Sequence, residues 1–337
     1  MSEIKLDKKD WKILELLCTD ARLSHNQIAK RVGLSKNGVT YRVERLRRKN
    51  IIVGFFTLLD HGPLGHSFYN LFFRTSATRE KEEEFTKYLC DLPNTITVDR
   101  LSGEWNFVTE IACSNIYEYF HVFSRIMENF SSIIETYEVH PVYDAFKVEQ
   151  LPTDEKIEKE YASFISPNSI IPTELDEADK KLLYELDHDS TKSLRKLSEK
   201  IGLTSETIAE RIKKLKRKGI IKKFTAKMNL EPLGYTYYCI RLDLRDIGGE
   251  NEATLRKYII SHPKILYSFM SASQPSVFIY ATFKKPESLE SFQRQTKERF
   301  HNNIVNFRYS VLSDNYKYQI FPKTFLMTLE EKDNSFK

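Results

Sequence analysis

The chain repeats itself, and any fold proposed for it must be built twice. Leu6-Asp7 returns as Leu175-Asp176, a shift of 169 positions that then holds without a gap. The same shift carries Asp10 onto Asp179, Leu14 onto Leu183, Leu17 onto Leu186 and Asp20 onto Asp189. Gly33-Leu34 falls on Gly202-Leu203, Arg42 on Arg211, Leu46 on Leu215, Ile51-Ile52 on Ile220-Ile221, and Pro63-Leu64-Gly65 on Pro232-Leu233-Gly234. Near the end of each half, Asp144-x-x-Lys147 recurs as Asp314-x-x-Lys317 at a shift of 170. So regular a register marks a duplication, with halves of roughly 1–150 and 170–325. Between them, Gln150 to Glu174 carries Pro152, Pro167 and Pro172 around a charged stretch, the composition of a linker.

Each half opens with the same three-helix pattern. In Asp7 to Cys18, Trp11, Leu14, Leu17 and Cys18 share one helical face, with Asp7 placed to cap it. A second helix runs from about Ser24 to Val32 and stops at Gly33, where a left-handed residue is wanted. Ser35 then caps a third helix whose buried stripe is Val39, Val43 and Leu46. The second half repeats this with Leu194 to Ile201, Gly202, Thr204 and the stripe Ile208, Ile212 and Leu215. A short helix, a Gly-centred turn and a Ser- or Thr-capped helix is the arrangement that offers one helix to the major groove.

Charge supports that reading. Residues 22–50 hold nine Lys/Arg against one Glu, and residues 191–219 hold ten against three. The whole chain is only +5, so everything outside these two stretches is net acidic. A charged helix face alone is most often a solvated surface. Repetition in register with two Gly-turn motifs points instead to phosphate binding.

The expected DNA-contacting residues of the first unit are Ser35, Lys36, Asn37, Thr40, Tyr41, Arg42, Arg45 and Arg48; those of the second are Thr204, Ser205, Thr207, Arg211 and Lys214. Asn suits adenine edges, Arg suits guanine, and Lys reaches phosphate. Glu206 and Glu210 stand on the second reading face, so the two units are expected to read unequally. Arg42 and Arg211 fit a structural ion pair as well as a phosphate contact.

Other classes find little support. The opening residues are polar, which argues against secretion. The longest uncharged run, Ile265 to Phe283, has serines, Gln274 and Pro275 at its centre and reads as two strands rather than a membrane span. Four separated cysteines in apolar stretches suggest buried free thiols in a reducing cytoplasm. No His or Cys spacing calls for a metal, and no cofactor is expected.

The motifs Leu6-Asp7-x-x-Asp10, Ile28-Ala29-x-x-Val32-Gly33-Leu34-Ser35 and Val39-x-x-Arg42-Val43-x-x-Leu46-x-x-x-x-Ile51-Ile52, with their counterparts in the second half, resemble the Lrp/AsnC (feast/famine) family of transcription regulators. The resemblance implies an α+β chain: two winged, three-helix helix-turn-helix domains, each followed by a ferredoxin-like βαββαβ (RAM-type) domain. The residue pattern agrees, with strand-like Phe68 to Thr75, helical Glu80 to Leu89, a hairpin over Thr95 to Ala112, helical Ile116 to Phe130 and a last strand Ile133 to His140. The expected domains are 1–60, 61–150, a linker 151–174, then 175–229, 230–325 and a tail 326–337.

Family members pair through these α/β domains and bind amino acids or related effectors at the interfaces. The resemblance places the effector hairpin at Gly103, Glu104, Trp105 and Asn106; Trp105 reads equally as a packed interface aromatic. The second hairpin, Ser271 to Pro275, lacks the Gly and is expected to serve assembly. Duplication leaves open whether the domains pair within one chain or between chains. The expected function is sequence-specific regulation of transcription in the cytoplasm, with double-stranded DNA, a small effector and a homo-oligomeric mate as partners, and no membrane. Two alternatives remain. Siroheme decarboxylases also resemble Lrp/AsnC proteins in pairs; that chemistry needs clustered His, Arg and Tyr, of which the hairpins offer Arg100 and Tyr267 but no adjacent His. The other is a protein-interaction adaptor whose helix-turn-helix units no longer touch DNA.

Overall fold

The computed structural model describes residues 4–60, 62–153, 173–246, 248–328 and 331–332. Most of the expected linker and part of the expected tail lie outside these residues. The first half runs α1 (Lys8–Thr19), α2 (His25–Val32), α3 (Lys36–Arg48), β1 (Ile52–Leu59), β2 (Ser67–Thr75), α4 (Arg79–Asp91), β3 (Thr95–Ser102), β4 (Phe107–Cys113), α5 (Ile116–Phe130) and β5 (Ile134–Val148). The second half runs α6 (Glu177–His188), α7 (Leu194–Ile201), α8 (Ser205–Arg217), β6 (Ile221–Met228), β7 (Thr236–Leu244), α9 (Gly249–Ser261), β8 (Ile265–Ser271), β9 (Val277–Phe283), α10 (Pro286–Arg299) and β10 (Ile304–Tyr318). The elements group by type rather than by half: one compact unit holds both helix-turn-helix segments, the other both α/β segments.

In the helical unit the caps act as the sequence suggests. Asp7 accepts from the Asp10 amide while Asp10 accepts from the Asp7 amide, and Ser24 with Gln27 closes a second capping box. Gly33 and Gly202 end α2 and α7 at φ of 63° and 80°, a conformation that a side chain would strain. Ser35 and Thr204 cap α3 and α8. The two three-helix bundles are joined by β1 and β6, which pair antiparallel. Each first helix lies on the other half's strand, α1 on β6 and α6 on β1. Matched bonds fix this exchange: the Ala21 amide donates to Phe224 O at 2.9 Å, and Ser190, its repeat mate, donates to Phe55 O at 3.2 Å. An antiparallel strand pair has a two-fold axis, so α3 and α8 are presented as pseudo-symmetric mates.

In the α/β unit each half contributes a four-stranded antiparallel sheet with two helices on one face. Alternation along the strands sorts the side chains. Tyr69, Leu71 and Phe73 of β2 pack under α4 and α5 with Phe85, Leu89, Val122 and Ile126. Ile240, Leu242 and Leu244 of β7 do the same with Leu255, Ile259, Leu289 and Phe292. The other faces meet in an inner layer of Phe72, Leu101, Trp105, Val108, Cys239, Phe269 and Phe278.

The sheets close on one another in the order β10-β3-β4-β2-β5-β8-β9-β7, with no free edge. Closure depends on the length of β5 and β10: β5 runs well past the expected end at His140, to Val148, and its repeat mate β10 runs to Tyr318. Beyond Val142, β5 leaves β2 and pairs only with β8; beyond Leu312, β10 leaves β7 and pairs only with β3. The repeated Asp-x-x-Lys motif lies in these extensions. Lys147 Nζ donates to the carbonyls of Ile260 and His262 at 2.7 Å, at the C-terminal end of α9. Lys317 Nζ mirrors it on Cys90 O and Leu92 O at the end of α4. Each lysine thus meets the negative end of a helix dipole in the opposite half. The α/β pairing left open by the sequence is made within one chain. Ile265 to Phe283 forms β8 and β9, and among the described residues no helix is long and apolar enough to cross a membrane.

Candidate nucleic-acid interface and the interior of the barrel

On α3, Val39, Val43 and Leu46 are buried, which turns Lys36, Asn37, Tyr41, Glu44 and Arg48 outward. Tyr41 is 59% exposed, unusual for a large ring and suited to a contact surface. Ser35 is exposed at the tip, its Oγ engaged by the Gly38 amide at 3.1 Å. Thr40 is half-buried and bonded to His25 Nδ1 at 2.8 Å.

The two central arginines face the other way. Arg42 Nη1 bonds Asp7 and Asp10, both at 2.7 Å, and Arg45 Nη2 bonds Asp10 at 2.6 Å. Asp10 is 1% exposed, so its charge requires these partners. The cap and guanidinium hydrogen bonds hold the Asp7 carboxyl below its ordinary range. In the second unit Arg211 bonds Asp176 at 2.7 Å and Asp179 at 2.6 Å, with Lys214 at 3.7 Å from Asp179. Arg42 and Arg211, expected equally as phosphate contacts or ion pairs, are therefore engaged within each bundle, and Arg45 joins them.

Of the residues expected on the second reading helix, Thr204 and Thr207 are exposed and bonded to each other at 3.0 Å, while Ser205 is half-buried. The positions matching Asn37 and Tyr41 are Glu206 and Glu210, both exposed, with Glu210 paired to Lys213 at 2.7 Å.

The first hairpin sits over the inner layer. Gly103 takes φ 131°, and a Cβ there would meet Ser310 Oγ at 3.3 Å. Glu104 accepts from the Arg241 guanidinium and lies 3.7 Å from Arg308. Trp105 is 4% exposed and packs edge-on against Phe72, so it is an interior aromatic; its Nε1 has no hydrogen-bond partner among the described residues. Asn106 is structural: its Oδ1 accepts from the Thr75 amide at 2.8 Å and its own amide donates to Phe73 O.

Around this hairpin stands a cluster that the sequence reading missed. Arg241 of β7, 1% exposed, also bonds Glu138 of β5 at 3.2 Å and lies over the rings of Phe72 and Trp105 at 5.2 and 5.5 Å. Arg308 pairs with Asp243 at 2.9 Å. His140, 2% exposed, sets Nε2 against Glu138 at 3.1 Å and Nδ1 against Ser273 Oγ of the second hairpin at 2.8 Å. Burial raises the Glu138 pKa, but the bond to His140 and the charge of Arg241 outweigh it and hold the carboxyl below its ordinary value. The second hairpin therefore does have an adjacent histidine, supplied by β5 from the other half. One signal could have found these residues: repeat mates of opposite chemistry, Phe72 for Arg241 and Glu138 for Arg308. Among the described residues no group of three or more His, Cys, Asp or Glu could hold a metal ion.

Comparison with known proteins accords with this geometry. A winged helix-turn-helix DNA-binding family matches residues 6–53, and the AsnC-type helix-turn-helix domain matches residues 175–216. The HTH-type transcriptional regulator FL11 of Pyrococcus furiosus is 34% identical over 118 residues, which is 35% of this chain and 77% of that protein. The proline dehydrogenase transcriptional activator of Rhizobium radiobacter is 33% identical over 135 residues, 39% of this chain and 85% of its own length. Among solved structures, the siroheme decarboxylase NirDL superposes with a TM-score of 0.63 at 14% identity, covering 98% of this chain and 97% of that one. At that identity the likeness is one of fold: two helix-turn-helix units, each followed by a ferredoxin-like domain. The motifs, the relatives and the duplicated architecture together place this chain in the Lrp/AsnC family, in a tandem-duplicated form.

Proposed function

We propose that the chain is a sequence-specific DNA-binding regulator of transcription that engages both halves of its operator with a single polypeptide. The observation that carries this is the outward face of α3, where Lys36, Asn37, Tyr41 and Arg48 are exposed beside a helix N-terminus that favours phosphate. The mate face on α8 carries Glu206 and Glu210 ahead of Lys213 and Arg217. That favours an operator with unlike half-sites, α3 reading bases and α8 holding mainly phosphates through its basic C-terminal turn. Gly103 and Glu104 remain the expected place for a small effector.

The test is duplex binding by fluorescence anisotropy across a salt series. Lys36→Glu with Arg48→Glu is expected to weaken binding at least about 100-fold and to lower the log–log salt slope by about 2. Arg45 is left intact because reversing it would set a second carboxylate against buried Asp10. Binding unchanged by that double reversal removes α3 as the reading helix.

A second reading draws support from the convergence of His140, Arg241 and Arg308 near the two hairpins, two of the three residue types, His, Arg and Tyr, that siroheme decarboxylation needs. Tight binding of added siroheme, with a shifted absorption spectrum, decides for it.

A further inference from the structure

At the second hairpin a carboxylate, an imidazole and a hydroxyl stand in line. His140 sets Nε2 against Glu138 at 3.1 Å and Nδ1 against Ser273 Oγ at 2.8 Å. The protons along this line follow from the partners each atom has. The Glu138 carboxyl, held below its ordinary value, is ionised near neutral pH, so the nitrogen facing it carries a hydrogen. Ser271 is 0% exposed, and its Oγ accepts from the Ser273 amide at 3.2 Å. Among the described residues the one acceptor for its own proton is Ser273 Oγ, 2.9 Å away. Ser273 is thus left to donate its hydroxyl proton to His140 Nδ1, the lone pair of the neutral ring. A carboxylate that orients an imidazole, whose other nitrogen faces a hydroxyl, is the arrangement that activates a serine.

The hairpin is held in place around it. The Ala272 amide donates to Pro141 O at 3.2 Å, and the Gln274 side chain is fixed by Leu244 O at 2.7 Å and Ser276 Oγ at 3.0 Å. The rings of Phe72 and Phe278 cover the imidazole at 5.6 and 5.0 Å, whereas Ser273 keeps accessible surface between exposed Ala272 and Gln274. The Gln274 amide, next after the serine, has no hydrogen-bond partner among the described residues and is available to an oxyanion. The line is assembled once: at a shift of 170, Glu138 and His140 become Arg308 and Ser310, neither of which can take a hydroxyl proton. We propose that Ser273 is a nucleophile toward small carboxylic esters, with His140 as its base and Glu138 as the positioning residue. Oγ attacks the carbonyl carbon while His140 Nδ1 takes the hydroxyl proton; the bond to the alcohol oxygen breaks, and the alcohol leaves with that proton. Water then attacks the acyl-serine through the same imidazole, releasing the carboxylic acid and restoring the hydroxyl.

The full-length chain is incubated with 4-nitrophenyl acetate and, separately, with diisopropyl fluorophosphate, and the modified residue is mapped by mass spectrometry. One acetyl or phosphoryl group on Ser273 is expected, with release of 4-nitrophenol. Ser273→Ala is expected to abolish the modification, His140→Gln to slow it about 100-fold or more, and Ser288→Ala on the exposed face of α10 to leave it unchanged. Glu138→Gln is expected to slow it and to move the rising limb of its pH profile to lower pH, because the imidazole loses its carboxylate while Arg241 stays. No modification of Ser273 in the natural chain, an equal rate in His140→Gln, or an unmoved pH profile in Glu138→Gln each overturns the proposal. Should the variants fail to fold, the natural chain is compared with itself unfolded in guanidinium: loss of the modification on unfolding supports the proposal, and equal rates overturn it.

Discussion

Asp10 and Asp179 show what single residues do in this chain. Each is 1% exposed at the first turn of its helix, and each is bound to an arginine from the reading helix. The same pair fixes the angle at which that helix leaves its bundle, so stability and presentation to DNA share one contact. The two copies differ in reserve. Asp10 has a second guanidinium, Arg45, at 2.6 Å, whereas Asp179 has only Lys214 at 3.7 Å. Arg211→Met is therefore expected to cost about 2–3 kcal/mol in urea denaturation, and Arg42→Met distinctly less. Equal losses would show that Arg45 does not stand in for Arg42. The sequence left these arginines between phosphate and ion pair because both roles use the same residue type; only the facing carboxylates decide.

Helices α3 and α8 have the same length, the same kind of cap and the same buried stripe, and they differ only in what faces out. Glu206→Asn with Glu210→Tyr copies the first face onto the second and removes two carboxylates that phosphates repel. It is expected to tighten duplex binding about ten-fold at low salt, a gain read by the same anisotropy titration and shrinking as salt rises. No gain means that α8 does not approach the duplex. The helices were legible because caps, Gly turns and stripes are local signals written twice. The ends of β5 and β10 were not. Past Val142 and Leu312 the strands continue because a partner in the other half accepts them, and no local pattern reports a partner well over 100 positions away. The repeated Asp-x-x-Lys motif was visible, but its meaning, a lysine reaching the end of the opposite half's helix, required the fold.

At the scale of the molecule, closure makes the two α/β halves one cooperative body. Ala145 of β5 pairs with Phe269 of β8, while its neighbour Phe146 is buried in the core of the second half. Ala145→Pro would interrupt that seam without touching the first half's own sheet. It is expected to lower the thermal midpoint of both halves together, seen as a single shifted transition by hydrogen exchange in β2 and β7 alike. Two separated transitions would show the halves to be independent. The pairing of α/β domains that family members make between chains is made here within one chain.

Arg241 and Phe72 are the same position of the repeat, and the guanidinium of one rests over the ring of the other. That position lies where the approximate symmetry axis passes. In a dimer of identical subunits, whatever residue stands there must confront its own twin, so an arginine would press one buried positive charge against another. Fusing the copies lifts that prohibition. A cation can face an aromatic ring at the centre of the barrel only because the two genes' worth of sequence are free to disagree.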